Sequence, residues 1–260
     1  MHRMWMLSCV LLLFACHAMA DVKTETIEYR DGDTKLVGFL AYDDAIQGPR
    51  PGVLVVHEWW GLNDYARNRA KQLASMGYVA FAADIYGEGK STTHPQDAMA
   101  WSGEIRKSLD GWRKRGEAGL AVLREHPRVD SSKLAAIGYC FGGATVIQLA
   151  YAGADLKAVA SFHGSLPLPA AGDLQRCKAS VLACHGQDDS FIPAEQVAKF
   201  QSQLSEGKVD LVFVSYGGAK HSFTNPDAGA AGVDGLEYNR NADLRSWQHL
   251  TDFLKERLGD

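Results

Sequence analysis

Three separated stretches of the chain carry side chains able to make and break covalent bonds. Gly138-Tyr139-Cys140-Phe141-Gly142-Gly143 sets a cysteine between glycines. Cys184-His185-Gly186-Gln187-Asp188-Asp189-Ser190-Phe191-Ile192-Pro193 offers two adjacent carboxylates. Gly217-Gly218-Ala219-Lys220-His221-Ser222-Phe223 offers an imidazole. Nucleophile, acid and histidine, in that chain order, are the parts of a covalent hydrolase: a thiol to attack, a base within reach of it, and a carboxylate to hold the imidazole tautomer. In G-x-x-x-G the glycines leave room for a strained strand-to-helix turn that pushes the central side chain outward, a nucleophile elbow. That place is usually a serine; here it is Cys140, where a helix N-terminus would favour the reactive thiolate. The competing reading is a buried structural cysteine, and for the carboxylates a loop cap. On the residues alone, Asp188 and Asp189 both remain open.

The elements around these stretches must bring them together. Lys133 to Ile137 is a short apolar run that reads as the strand entering the elbow, and Ala144 to Tyr151 as the helix leaving it. Residues 24–29 and 35–42 read as two strands joined by the hairpin signal Asp31-Gly32-Asp33. Residues 52–57, 78–84, 156–163, 179–185 and 209–216 are further strands, the first ones continuous apolar runs of the kind buried on both faces of a parallel sheet. Helices are expected at 64–75, capped by Asn63, within 96–126, at 194–205 and at 236–258. Strands alternate with helices from residue 52 onward. This specifies an α/β fold with a mostly parallel sheet, helices on both faces and an antiparallel N-terminal hairpin. Chemistry in such sheets gathers at the carboxyl ends of the strands, where all three stretches fall.

The ends and the composition narrow the setting. Residues 1–20 read as a secretory signal peptide: a weakly basic start, an apolar run from Trp5 to Ala15, and the A-x-A site Ala18-Met19-Ala20. A lipoprotein signal using Cys16 is the less favoured alternative. The protein is therefore expected to be exported, periplasmic or secreted, as one domain over 21–260. The formal charge of −4, or −5 once Arg3 is removed, supports neither nucleic acid nor an anionic membrane as partner, and no later stretch is apolar enough to span a bilayer. Of the five cysteines, three lie beyond the leader: Cys140, Cys177 and Cys184. An extended run between the last two, seven steps of roughly 3.3 Å, separates them far beyond disulfide reach, so three free thiols are expected.

The chain resembles the dienelactone hydrolase family of the α/β-hydrolases over nearly the whole mature part. The resemblance rests on His57-Glu58-Trp59-Trp60-Gly61, Ala83-Asp84-Ile85-Tyr86, Gly138 to Gly143, the Asp189 segment and His221-Ser222-Phe223. Its G-x-x-D-x-x-x-P pattern implies Asp189 as the acid. It also implies that Glu58, leaving a strand where a carboxylate is costly unless paired, lies near the nucleophile and helps take its proton when substrate arrives. The alternative is a structural carboxylate. The residue after the nucleophile, Phe141, should give one oxyanion-hole N–H, and by resemblance Trp59 gives the other. Trp60, Tyr86 and Phe223 would wall the pocket, with core packing as their alternative. The family holds a substrate carboxylate with arginines, but read without gaps those positions carry Glu88 and Asn225; Arg67, Arg69 or Arg240 are candidates to substitute.

The expected function is hydrolysis of an ester or lactone through a Cys140–His221–Asp189 triad and an acyl-enzyme, with a small-molecule substrate and no cofactor. His57, His163 and His185 are scattered without metal-ligand spacing, and the elbow puts cysteine where a dinucleotide fingerprint needs glycine. Alternatives are a thioesterase or peptidase on the same triad, or a non-catalytic protein that binds a small ligand. A monomer is the economical expectation.

Overall fold

A computed structural model describes residues 22–259. The expected leader, residues 1–20 with Cys16, lies outside the described residues. Strands β1 (Val22–Asp31) and β2 (Thr34–Asp43) form the antiparallel hairpin, turning at Gly32 with φ 56°. Then come β3 (Arg50–Val56), α1 (Asp64–Ser75), β4 (Val79–Ala83), α2 (Pro95–Arg106), α3 (Leu109–Glu125), β5 (Val129–Tyr139) and α4 (Phe141–Ala152). The chain continues through β6 (Ala158–Phe162), a short α5 (Asp173–Arg176), β7 (Ser180–Gly186), α6 (Ala194–Glu206), β8 (Leu211–Tyr216) and α7 (Arg240–Leu258).

The eight strands form one sheet in the order β1-β2-β4-β3-β5-β6-β7-β8, parallel from β4 to β8. This is the architecture the sequence predicts. The inner strands alternate strictly between two apolar cores, as period-2 side chains must. Leu54, Val56, Leu134, Ala136, Val181 and Ala183 join Leu120, Leu123, Phe200 and Leu204 on one face. Val53, Val55, Ala135, Ile137 and Leu182 join Leu73, Leu250 and Leu254 on the other. Helix α4 is buried along nearly its whole length, which holds the elbow at its head between the sheet and the neighbouring helices.

Some boundaries differ from expectation for local reasons. The single helical region over 96–126 is two helices, because the Ser108 hydroxyl accepts the Gly111 N–H at 3.0 Å and starts α3 afresh. Helix α7 starts at Arg240 rather than Leu236, since Asn239 caps it and Leu236 instead pairs with His221 in a short parallel bridge. Helix α5 has no counterpart among the expected elements; the buried Asp173 carboxylate holds it by accepting Arg113, Arg176 and the Ala170 N–H. Asn63 caps α1 as expected, and Cys140, Cys177 and Cys184 are free thiols. Among the described residues no helix is long and apolar enough to cross a membrane.

Candidate active site

The turn from β5 into α4 is as tight as its glycines imply. A Cβ on Gly138 would lie 2.1 Å from the Gly142 carbonyl oxygen, and one on Gly142 would lie 2.2 Å from that of Val56. Cys140 takes φ 52°, a left-handed conformation rarely adopted by a side-chain-bearing residue. That strain turns the thiol out of the sheet at the head of α4. The Phe141 N–H, first in the helix, has no carbonyl four residues back to bond.

The loops after β7 and β8 carry the other two groups to the same place. Asp189 is buried and Asp188 exposed. The Oδ2 of Asp189 lies 2.8 Å from His221 Nδ1, and its Oδ1 accepts the Phe191 N–H at 3.0 Å. With Asp189 ionised, His221 Nδ1 is the donor. The same ring lies beside Cys140, close enough for the sulfur to act on it electrostatically. Burial works against a charged ring at His221, but Cys140 and Asp189 outweigh it and push its pKa up to about 10. Cys140, His221 and Asp189 are therefore brought together, with His221 between the sulfur and the carboxylate.

Glu58 sits beside them, 1% exposed. Its Oε1 accepts from Ser222 Oγ at 2.7 Å and its Oε2 from Asn225 Nδ2 at 2.6 Å. Burial pushes its pKa up, against the pull of the two hydrogen bonds and of nearby His221 and Arg69. Ser222 and Asn225 come from the His221 loop, so this loop secures both the imidazole and the carboxylate. Neither role is visible in the sequence. Asp84, from the matching Asp-x-Tyr segment, is a loop anchor: its carboxylate accepts the N–H groups of Val37, Tyr86, Gly87 and Gly89.

A cleft of about 230 Å³ opens over Cys140 and His221, lined also by Trp59, Arg106, Phe141, Ser165, Phe191, Ile192 and Leu236. The expected walls Trp60, Tyr86 and Phe223 are not among the lining residues. Trp60 packs with Ala98, Ala228 and Leu236, and Phe223 is buried in the sheet core. Tyr86 stands behind the wall and donates its hydroxyl to the Trp59 carbonyl at 2.9 Å, which fixes the Trp59 turn. The walls come instead from Phe191, Ile192 and Leu236, apolar residues on loops whose inward direction no sequence period reveals.

A cation does reach the cleft, from outside the expected positions. Glu88 is exposed on its loop, 3.9 Å from Lys90, and Asn225 is committed to Glu58. None of Arg67, Arg69 and Arg240 lines the cleft. Arg67 pairs with Asp64, and Arg69 is buried against Asp243 at 2.6 Å and the Thr224 carbonyl at 2.7 Å. Arg106, in the last turn of α2, does line it, with its guanidinium 5.1 Å from the Phe141 ring centroid. Only a contact across elements could have identified it.

Comparison with known proteins agrees with this fold. The pattern of the dienelactone hydrolase family matches residues 36–258. A solved dienelactone hydrolase-like promiscuous phosphotriesterase from metagenomic libraries is 40% identical, with a TM-score of 0.90 over 92% of this chain and 99% of its own. A Synechocystis relative that carries the provisional name carboxymethylenebutenolidase is 28% identical over 92% of this chain and 98% of its own. The dienelactone hydrolase from Anabaena variabilis shares the α/β-hydrolase fold, with a TM-score of 0.68 at 20% identity over 91% of this chain and 99% of its own.

Proposed function

The chain belongs to the dienelactone hydrolase family, and from that premise we propose that it hydrolyses an ester or lactone through a thioester formed on Cys140. One observation carries the reading. A cysteine at positive φ on a helix N-terminus shares the cleft with His221, itself 2.8 Å from Asp189.

As substrate arrives the thiol proton passes to His221 Nε2, and the Cys140 sulfur attacks the substrate carbonyl carbon. Asp189 holds Nδ1–H and stabilises the charged ring. The oxyanion is met by the N–H groups of Phe141 and Trp59. Collapse breaks the C–O bond, and the leaving alkoxide takes the proton from His221; in a lactone it stays tethered to the acyl group. Water then attacks the thioester, giving a proton to His221, and the carboxylic acid leaves as the Cys140–His221 pair is restored. Glu58 assists in taking the thiol proton when substrate arrives, which requires it to release one of its two present hydrogen bonds.

Phosphotriester hydrolysis on the same nucleophile is a second reading, favoured by the 40% identity to the metagenomic enzyme. The testing experiment is hydrolysis of a short p-nitrophenyl ester and of a p-nitrophenyl phosphotriester by the mature protein and by Cys140→Ala. Ester turnover that disappears in the variant supports the first reading. Turnover that survives in Cys140→Ala refutes the thiol mechanism. We also propose export of the mature chain from Asp21, which N-terminal sequencing of the native protein tests.

A further inference from the structure

The histidine that follows β6 is used by none of the steps above, yet it is bonded at both ring nitrogens inside the site. We propose that His163 is a positioning residue that locks the aim of Cys140 and the seat of the His221 ring through a buried chain reaching Tyr65.

Strands β5 and β6 pair in register Tyr139 with Phe162, so the next residues, Cys140 and His163, emerge side by side. His163 is fully buried and takes φ 41°, a second left-handed residue beside that of Cys140. Such strain persists only where the surroundings hold it. Here the Cys140 N–H reaches His163 Nδ1 at 3.1 Å while also reaching the Phe162 carbonyl at 2.9 Å. A backbone N–H can only donate, so Nδ1 must be the acceptor and the ring proton must be on Nε2. Nε2 faces Thr224 Oγ1 at 2.7 Å, and that hydroxyl meets the Tyr65 hydroxyl at 2.6 Å. The His163 ring also lies edge-on to His221, with centroids 5.3 Å apart.

This geometry excludes proton transfer as the role of His163. A second ring proton would sit on Nδ1 and oppose the Cys140 N–H, donor against donor. Burial, His221 and Arg69 all push its pKa well below the ordinary value, so the ring stays neutral next to a charged His221. Nor is it needed merely to satisfy the Cys140 amide, which keeps the Phe162 carbonyl. What the second acceptor of this three-centre bond fixes is the tilt of the peptide that carries the thiol. A shift of about 1 Å in such a group is enough to cost about a hundredfold in rate. Thr224 is held in turn by Arg69, which donates to its carbonyl. The nucleophile turn and the His221 loop are thereby joined beneath the cleft.

The proposal rests on Cys140 as nucleophile, but its test needs no turnover. Alkylation of Cys140 by iodoacetamide is followed across pH at the Cys140 peptide by mass spectrometry, in the full chain, with kcat and KM on a p-nitrophenyl ester alongside. In His163→Leu the alkylation rate at neutral pH and kcat should each fall by about tenfold or more, with KM changing less than about threefold. In His163→Asn, whose Oδ1 can occupy the place of Nδ1, most of both should return. Should His163→Leu fail to fold, Thr224→Val keeps the ring but removes its Nε2 partner, and a smaller loss in the same direction is expected. A wild-type alkylation profile in His163→Leu, or in Thr224→Val where that variant is the one read, overturns the proposal. Equal losses in His163→Asn and His163→Leu overturn it too. If alkylation responds as expected but no ester is turned over, the proposed function fails while the positioning role stands.

Discussion

Replacing Glu58 by glutamine separates a catalytic carboxylate from a structural one. The carboxylate is 1% exposed and accepts two hydrogen bonds, from Ser222 at 2.7 Å and Asn225 at 2.6 Å. The glutamine side chain keeps one oxygen for the Asn225 donor and presents an NH2 group to the Ser222 hydroxyl, which can accept. The variant loses charge-assisted bonds, at about 1.5–3 kcal/mol each, but also loses the burial penalty of an ion, which is several kcal/mol. These oppose, so net stability should move by less than about 2 kcal/mol, or roughly 4–8 °C in Tm for a domain of this size. Turnover has no such offset. Loss of a group that assists proton transfer should lower kcat about a hundredfold or more. The pH dependence adds a signature. Burial raises the Glu58 pKa above its ordinary 4.5, so the stability this group contributes is present below that value and is lost as pH rises through the raised one. Glu58→Gln escapes that loss, and the variant should gain on the wild type as pH rises from acid to neutral. Thermal melts across pH and steady-state ester kinetics measure both. Losses of kcat and stability in equal proportion, or an unchanged kcat, would refute a catalytic part for Glu58.

Asp189→Asn should lower kcat about a thousandfold or more, because the new amide faces His221 Nδ1 with a donor or an uncharged acceptor and no longer supports the charged ring. Its stability deficit should shrink as pH is raised from 6.5 towards about 10, the range over which the wild-type His221 gives up its stabilising proton; a deficit independent of pH would refute the pairing. Arg106→Ala should raise KM for esters carrying a carboxylate by about two- to fivefold, the modest value expected of a solvent-exposed cation, and leave neutral esters of the same size unaffected. Equal effects on both substrate sets would show that Arg106 contributes through packing on Phe141 alone.

Much of this molecule is legible in its sequence because its constraints are local. Continuous apolar runs such as Val53 to Val56 are short and rich in β-branched residues, which suits strands buried on two faces, and their alternation with helices points to a parallel sheet. The elbow is legible because Gly138 and Gly142 stand where any Cβ would collide with backbone at 2.1–2.2 Å. Order and type of residue alone singled out Cys140, His221 and an aspartate in the right loop. Which aspartate faces the histidine depends on which way each side chain of one turn points, and the folded loop buries Asp189 while leaving Asp188 in solvent. The rest was decided by tertiary contacts that carry no sequence period. Asn225 meets Glu58 across 167 residues, and His163 meets Thr224 across 61. Arg106 enters the cleft through the placement of α2, and Tyr86 and Phe223 are withdrawn from it by packing. Hydrogen bonds of this kind are set by distance and direction in three dimensions, and those exist only once the sheet has brought its carboxyl ends together.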